Sequence, residues 1–394
     1  MDKTELLTLM PKDIDVVGQW QLFPFKYHQH SLRSRLGLSL KRVHYADYSE
    51  IDSIIRRHSN EWVMIRPSWR HEADTVVASM REIASHGRRI IFLDPFDQTS
   101  SRFFGALPYV EHFVKYQGLR DRDLYLNTYD GGCLMTHKLA NEYGYSLDGW
   151  HVGSTVEPGL QGKISCAWSW VPPDLLPARK GKRDWLARGF DFAGGFDLRD
   201  FDWQSQARSV LQAARKLATP RKDATDTKPR EKTLDVFCHI SCGVRNELEW
   251  YGYVRMAAVE ELKKLENRKI SVAAEFTGEP RLPSEEYVKR AAACKITFSP
   301  MGWGEVTMRV FEAVANGSLF MQPRVDHVEI QPDLIRPYET YVPVEWDYSD
   351  VVEKVEYYLD HDAERQAIIR NAKQAFDEYY RREKFVDAIA EFIS

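Results

Sequence analysis

The sequence lacks the signals that mark several common classes of protein. It contains only five cysteines among 394 residues, and no two of them have the C-x-x-C spacing of a redox or zinc pair. No apolar run reaches the roughly 18 to 20 residues that a membrane-spanning helix needs. The first residues lack the basic and apolar regions of a signal peptide. We therefore expect a cytoplasmic protein whose reduced thiols are buried in its core.

Familiar phosphate-binding and metal-binding patterns are also missing. Neither the glycine-rich dinucleotide fingerprint nor a Walker loop occurs, which disfavours dehydrogenases and ATPases. Asp-x-Asp pairs occur at Asp13, Asp121 and Asp200, but none follows a convincing apolar strand, so no metal site is expected. With 54 basic and 58 acidic residues the net charge is -4, which gives no general attraction to nucleic acid. A nucleic-acid partner is therefore not expected.

The length and the pattern of apolar runs predict two α/β domains. A chain of 394 residues exceeds what one core usually supports. In the first half, predicted strands alternate with helical patterns, which is typical of a parallel, doubly wound sheet. These strands are Ile14–Val17, Leu38–Val43, Trp62–Arg66 and Arg89–Leu93, and further helices are predicted over 109–124 and 206–218. Because 219–233 has no large apolar residue, the predicted domains are 1–220 and 234–394, joined by a linker over 221–233.

The second half is organised around the stretch from Ala292 to Pro323. An apolar run at 296–298 breaks at Pro300 and Gly302, a helical pattern starts at Glu305, and a second apolar run follows at 319–321. This order predicts a strand, a glycine loop, a helix and a strand. The free N–H groups at the start of such a helix face the crevice at the sheet edge, a place that suits a diphosphate.

The predicted helix carries a charged stripe. Glu305, Arg309 and Glu312 recur at helical spacing on a face other than the apolar one. The same spacing would also let these residues form ordinary ion pairs on a solvent-exposed surface. The stripe is therefore either part of a ligand site or a solvated face.

Several segments of the second half resemble the donor-binding half of the GT-B glycosyltransferases. They read FTG at 276–278, then LPSEEY, ACKITFSP and RVFEAVANGSLFMQP. The last segment is most similar to the CgeB-like and exostosin-type branches, with a group 1-like donor domain. The resemblance covers about residues 234–380. It implies two Rossmann-like doubly wound domains facing across a cleft, with the last helix packing back on the first domain.

The resemblance also implies a reaction and its substrates. Such an enzyme transfers a sugar from a nucleotide-diphosphate sugar to a glycan, lipid-linked or other surface-glycoconjugate acceptor, without an obligatory metal. A lipid-linked acceptor would bring the protein to a membrane surface. Glu312 stands where the family has a glutamate that accepts hydrogen bonds from the ribose. Retaining members have seven residues between two glutamates, whereas Glu305 and Glu312 have six, so the stereochemical outcome stays open.

Charged residues near the predicted crevice supply the remaining site candidates. Arg245 follows a predicted strand at 234–240, and with Arg309 and Lys295 it is a candidate for binding the diphosphate, since these cations pair with phosphate oxygens. The glycine loop adds Gly302 and Gly304. For catalysis, Asp94 and Asp97 follow the strand 89–93 and face the crevice if the sheet is doubly wound. Glu305 is the third catalytic candidate, in contact with the sugar or at the positive end of the helix.

Three other interpretations remain open. Asp94 with the following proline fits an ordinary turn. An epimerase or hydrolase on the same fold would consume the nucleotide sugar without an acceptor. A binding protein with a drifted motif would hold the nucleotide sugar and turn nothing over.

Overall fold

The computed structural model describes residues 4–13, 16–147, 149–169, 171, 175 and 231–393. The predicted helix over 206–218 lies outside the described residues, and so does the predicted linker except for 231–233. The domain limits at 220 and 234 therefore stay predictions.

The first part of the chain forms a six-stranded parallel sheet. Its strands are β1 (Thr4–Pro11), β2 (Leu38–Tyr45), β3 (Trp62–Ile65), β4 (Arg89–Leu93), β5 (His112–Val114) and β7 (Ile164–Ser165), and a short β6 (Gly118–Leu119) lies outside this sheet. Their order is β2-β1-β3-β4-β5-β7. The helices are α1 (Val16–Tyr27), α2 (Gln29–Leu36), α3 (Glu50–Arg57), α4 (Ala73–Ser85) and α5 (Leu134–Asn141). All four residues of β3 are apolar and buried, as expected of a strand covered on both faces.

The second part forms a five-stranded parallel sheet. Its strands are β8 (Leu234–Ser241), β9 (Ile270–Glu275), β10 (Cys294–Phe298), β11 (Leu319–Pro323) and β13 (Val342–Val344), with a short β12 (Val328–Glu329) apart. Their order is β13-β11-β10-β8-β9. The helices are α6 (Trp250–Lys263), α7 (Ser284–Ala293), α8 (Arg309–Asn316), α9 (Val351–Asp360), α10 (Asp362–Tyr380) and α11 (Lys384–Phe392).

Both sheets have the same doubly wound topology. In each, the first strand lies between the second and the third, and the later strands continue outward from the third. The order therefore reverses between β1 and β3 in one sheet and between β8 and β10 in the other. In open parallel sheets, ligands bind outside the carboxyl ends of the strands at this point of reversal. The predicted α/β class with two Rossmann-like parallel sheets is confirmed.

Two sequence predictions in the first half are wrong. In the predicted strand Ile14–Val17, the described residues Val16 and Val17 begin α1 instead, and β1 is formed earlier, by Thr4–Pro11. The predicted helix over 109–124 contains β5 and β6 instead. Strand β5 pairs with β4 and β7, so partners distant in sequence override the local preference of this charged segment.

The two sheets are tied together by a short ribbon and by the last helix. Strand β6 pairs antiparallel with β12, with Leu119 opposite Val328. In α11, the Phe385 ring lies 5.2 Å from the Phe25 ring of α1, and the Phe392 ring lies 3.9 Å from the His112 ring of β5. The last helix thus packs on elements of the first sheet.

The core accounts for the cysteines. All five are buried and unpaired, as the sequence predicts. Within the part of the chain that the structure describes, the helices are too short or too polar to cross a membrane.

Candidate functional site

The loop between β10 and α8, residues 299–308, lies at the carboxyl edge of the second sheet and is called here the donor loop. Its end is fixed by Thr307, whose hydroxyl oxygen accepts a hydrogen bond from the Arg309 backbone N–H at 3.3 Å and lies 2.8 Å from the Ser299 hydroxyl. Such a side-chain bond competes with helix formation over the preceding residues. The helix therefore begins at Arg309, and the prediction that it begins at Glu305 is wrong.

Gly302 and Gly304 let the donor loop approach its neighbours closely. A Cβ atom at Gly302 would lie 2.4 Å from Nη2 of Arg255. A Cβ atom at Gly304 would lie 2.0 Å from the backbone oxygen of Asp97, in the first domain. Real Cβ atoms do not approach other atoms this closely. Gly304 therefore needs to be glycine while the loop keeps this place, whereas a side chain at residue 302 would displace the end of the Arg255 side chain.

Two arginines meet under the donor loop. Arg255 of α6 donates hydrogen bonds to the backbone oxygens of Met301, at 3.1 Å, and Ser241, at 2.5 Å. Arg309 donates from Nη2 to the backbone oxygen of His239 at 2.6 Å, and its buried Nε has no hydrogen-bond partner in the described part of the chain. Burial and, to a lesser extent, Arg309 lower the pKa of Arg255.

This arrangement leaves positive charge at the carboxyl ends of β8 and β10. Among the described residues, neither Arg255 nor Arg309 forms an ion pair with a carboxylate; their hydrogen bonds go to neutral backbone oxygens. Both side chains are half-buried, and removing a cation from water costs free energy that a paired anion offsets. The geometry therefore favours an anion at this edge of the sheet.

Glu312 lies one turn further along α8, beside Arg309. Its carboxylate accepts a hydrogen bond of 3.1 Å from the hydroxyl of Tyr287 in α7. The neighbouring His239 is held on both ring nitrogens, by Glu275 and Ser271, each at 2.9 Å. The charged stripe of the sequence analysis thus faces the neighbouring elements β8 and α7 rather than open solvent.

Arg245 and Arg281 lie at the outer rim of the same edge. Arg245 pairs with Glu279 at 2.5 Å, and its guanidinium carbon lies 3.8 Å from the centre of the Phe276 ring. Arg281 donates weak hydrogen bonds to the hydroxyls of Ser241, at 3.3 Å, and Thr277, at 3.5 Å. Both guanidinium groups are accessible to a ligand that enters the crevice.

Lys295 is not brought together with the other candidates. It is the second residue of β10, at the amino end of the strand, and pairs with Asp235 at 2.8 Å. Because all strands of this sheet are parallel, their amino ends lie at the edge opposite the donor loop. Lys295 is therefore part of an ion pair at the edge of the sheet opposite the donor loop.

In the first domain, Asp94 is the inner member of a buried ion pair. It follows β4 directly, is fully buried, and contacts the equally buried ammonium of Lys115. Its other oxygen accepts a hydrogen bond of 2.7 Å from the Ser101 hydroxyl. All of these contacts are internal, which gives Asp94 a structural place.

Asp97 lies three residues further on and differs from Asp94 in its exposure. It is partly exposed, and burial raises the pKa of its carboxyl to about 6, against which Arg255 acts in the opposite direction. Its backbone oxygen accepts a hydrogen bond from the Gln117 side chain and faces Gly304. Asp97 therefore lies where the first domain meets the donor loop.

Glu305 is the main polar contact from the donor loop to the first domain. Its carboxylate accepts 2.7 Å and 3.3 Å hydrogen bonds from the hydroxyl and backbone N–H of Thr99. The residue is 1% exposed, and burial raises the pKa of its carboxyl against the lowering effect of Thr99. The next residue, Val306, donates its backbone N–H to the Gln117 side chain at 2.9 Å.

Sequence reasoning missed Arg255, Tyr287 and Lys115. Arg255 lies inside an aromatic-rich helical pattern, where a single charge normally indicates the solvated face. Tyr287 and Lys115 lie in segments whose partners are distant in sequence. The available signal was the position of Arg255 in the second turn of the helix that follows β8, from which its long side chain reaches back to the strand end.

A cluster with metal-ligand chemistry lies elsewhere, on α3 and α4. The His86 ring nitrogen lies 2.9 Å from Asp52 and 3.2 Å from Glu82. Both oxygens of Asp52 also accept hydrogen bonds from Arg56, at 2.8 and 2.9 Å. Arg56 offsets the charge of one of the two carboxylates, and its contacts with both Asp52 oxygens make the cluster an ion-pair network on the surface of the fold.

Residues 255–391 match the family model described as "Glycosyl transferase-like", and no curated protein matches the chain. Among solved structures, a glycosyltransferase from Rickettsia africae ESF-5 is similar at a TM-score of 0.49 and 10% identity, over 100% of this chain and 98% of that one. The S. aureus MnaA-UDP structure gives a TM-score of 0.44 and 9% identity, over 96% and 97%. MurG from Acinetobacter baumannii gives 0.37 and 7%, over 98% and 99%. Over residues 255–391 this chain is similar in sequence to the glycosyl transferase-like family.

Proposed function

We propose that the protein is a glycosyltransferase that moves a sugar from a nucleotide-diphosphate sugar to a glycan, lipid-linked or other surface-glycoconjugate acceptor. The donor site lies at the carboxyl ends of β8 and β10. The observation that carries this proposal is the pair Arg255 and Arg309, two half-buried guanidinium groups at the point of strand reversal whose hydrogen bonds go to neutral backbone oxygens. A diphosphate supplies the charge that this edge lacks.

The contacts around the arginine pair give each donor group a place. Arg309, with its unpaired Nε, binds the diphosphate, and Arg245 at the rim exchanges Glu279 for phosphate oxygens. Glu312 accepts hydrogen bonds from the ribose hydroxyls, and Tyr287 orients its carboxylate. As charge develops on the leaving diphosphate, fixed cations in a buried site stabilise it without reorganising.

Asp97 is the residue that we assign as the catalytic base. Its pKa of about 6 keeps it ionised at neutral pH and close enough to the working pH to accept a proton efficiently. Its position against Gly304 places it between the first domain and the donor loop. Asp94 and Glu305, which are bound internally, hold this junction in place.

The donor site is tested by thermal stability in the presence of UDP, GDP, ADP and dTDP and the corresponding nucleotide sugars. A ligand at about 100 times its dissociation constant stabilises the folded state by about 2.7 kcal/mol. We expect one nucleotide family to raise the melting temperature of the wild type. In Arg309→Ala and Arg255→Ala this increase should be lost, because each change removes a cation that faces the diphosphate.

The matched control is Arg382→Ala, which removes an exposed arginine near the C-terminus and should leave the nucleotide response unchanged. Equal responses in Arg309→Ala and in the wild type would place the donor elsewhere. If the bound nucleotide sugar is consumed as fast without any acceptor as with one, the enzyme is an epimerase or hydrolase instead.

A further inference from the structure

A cavity of about 240 Å³ opens in the first domain, next to the contact between Thr99 and Glu305. Buried residues, among them Ser100, line its floor, and exposed residues such as Thr128 and Thr155 line its rim. The volume lies below the roughly 300 to 1,000 Å³ of sites for drug-sized molecules. It is sized for a single small ring rather than for a whole nucleotide sugar.

The walls of this cavity are built by close backbone packing. Gly132 and Gly153 have positive φ angles of 83° and 94°. A Cβ atom at Gly153 would lie 1.8 Å from the Ser100 hydroxyl oxygen, and one at Gly132 would lie 1.9 Å from the backbone oxygen of Val152. Side chains cannot fill these positions, so the cavity wall is fixed by the backbone.

The lining carries hydrogen-bonding groups without formal charge. None of the described residues that line the cavity is Asp, Glu, Lys or Arg. In the part of the chain that the structure describes, the hydroxyls of Ser100, Thr128 and Thr155 make no hydrogen bond, whereas His151 is held by the backbone oxygen of Gly153 at 2.7 Å. Free hydroxyls can both donate and accept, which suits a ligand with several hydroxyl groups.

We propose that this cavity binds one neutral sugar unit. A phosphate or carboxylate would leave its charge without a cation there, which is unfavourable in a partly buried site. The cavity is separate from the arginine pair, so this inference does not depend on nucleotide binding. Thr99 lies between the two sites, because it lines the cavity and donates its hydroxyl to Glu305 of the donor loop.

The test is saturation-transfer-difference NMR of the full chain with methyl β-D-glucoside, methyl β-D-galactoside and the methyl glycoside of N-acetylglucosamine. Glucuronate and inorganic phosphate serve as charged probes. We expect saturable binding of at least one neutral glycoside and none of the charged probes. The double variant Thr128→Val/Thr155→Val keeps the side-chain shape but removes two hydroxyls, and it should weaken binding about tenfold.

Thr75→Val is the matched control, because it makes the same change at an exposed threonine on α4, away from the cavity. It should bind the glycoside as the wild type does. The proposal is overturned if no neutral glycoside gives a saturable signal, if the double variant binds as well as the control, or if a charged probe binds equally well. Failure of the nucleotide test would leave these outcomes unaffected.

Discussion

Asp94 and Asp97 show how the surroundings of two similar residues separate their roles. Both follow β4, and the sequence alone makes them equal candidates. Asp94 is enclosed with Lys115 and Ser101, whereas Asp97 is partly exposed, with a pKa raised to about 6 by burial. A carboxyl that is accessible and titrates near neutral pH can exchange a proton with an acceptor, and a fully paired one cannot.

Asp97→Asn should lower the rate of sugar transfer by about 100-fold or more, the usual contribution of a general base. Transfer by the wild type should fall as the pH drops below about 6, because Asp97 becomes protonated. A pH profile of kcat/KM for both proteins measures this. If the variant keeps the wild-type rate and the same acidic limb, Asp97 is not the base.

Asp97→Asn should also stabilise the folded protein, but only at a pH above the raised pKa of Asp97. The folded-state pKa of Asp97 lies above its ordinary value of 3.8, so the folded state binds this proton more tightly than the unfolded one. Its contribution to stability is therefore full below about pH 4 and is lost as the pH rises through about 6. Asp97→Asn should melt higher than the wild type at pH 8 and show no such gain at pH 4.

Lys115→Met should destabilise the fold by about 3–5 kcal/mol, because it leaves the Asp94 carboxylate buried without its cation. Adding Asp94→Asn removes that charge and should recover part of the loss. Urea denaturation of the two variants measures the difference. A double variant that is no more stable than Lys115→Met would contradict the assignment of Asp94 to a structural ion pair.

At the scale of elements, the donor loop contacts both domains and borders the proposed donor site. Gly302 packs against the Arg255 side chain, Gly304 packs against the Asp97 backbone, and the Glu305 carboxylate accepts a hydrogen bond from Thr99. A change at one end of this loop should therefore alter both the fit of the domains and the binding of the donor.

Gly304→Ala should destabilise the protein by about 1–3 kcal/mol, the usual cost of overpacking, and should reduce transfer. The added methyl group would meet the Asp97 backbone oxygen at 2.0 Å and the Gln117 side chain at 2.4 Å. Gly162→Ala is the control, since nothing lies within 4 Å of its Cβ position. Thermal unfolding of the two variants should differ; equal melting temperatures would mean that the loop is not packed against the first domain.

For the molecule as a whole, α11 and the β6–β12 ribbon connect the two sheets. Phe385 is fully buried, and its ring lies 5.2 Å from Phe25 and 6.1 Å from Trp168. The C-terminal end of the chain is thus part of the packing of the first sheet.

Phe385→Ala should cost about 3–5 kcal/mol of unfolding free energy, as expected for a large aromatic removed from a core. Its neighbour Lys384 is exposed and pairs with Glu378 at 3.1 Å, so Lys384→Ala should cost at most about 1 kcal/mol. Chemical denaturation of the full chain compares the two. A small effect of Phe385→Ala would show that α11 does not hold the first sheet.

The elements that depend on a local pattern of residues could be predicted from the sequence. Strands β3, β4, β8, β10 and β11 appear where the apolar runs predict them, since burial on both faces of a parallel sheet requires such runs. The helix carrying Arg309 and Glu312 was also predicted, and Gly317 ends it with a left-handed φ of 64°. Periodicity and turn chemistry act over a few residues and can therefore be read locally.

Features that depend on partners far apart in sequence are visible only in the tertiary structure. In the structure, Lys295 lies at the far edge of the sheet, Glu305 lies outside the helix and contacts Thr99, and Arg255 lies under the donor loop. Side-chain contacts between distant segments leave no periodic signal in the sequence, because they depend on the arrangement of the sheets and not on the local chain. The local pattern therefore predicts the class of fold, whereas the packing of the two domains determines which charged residues meet at the site and what they contact.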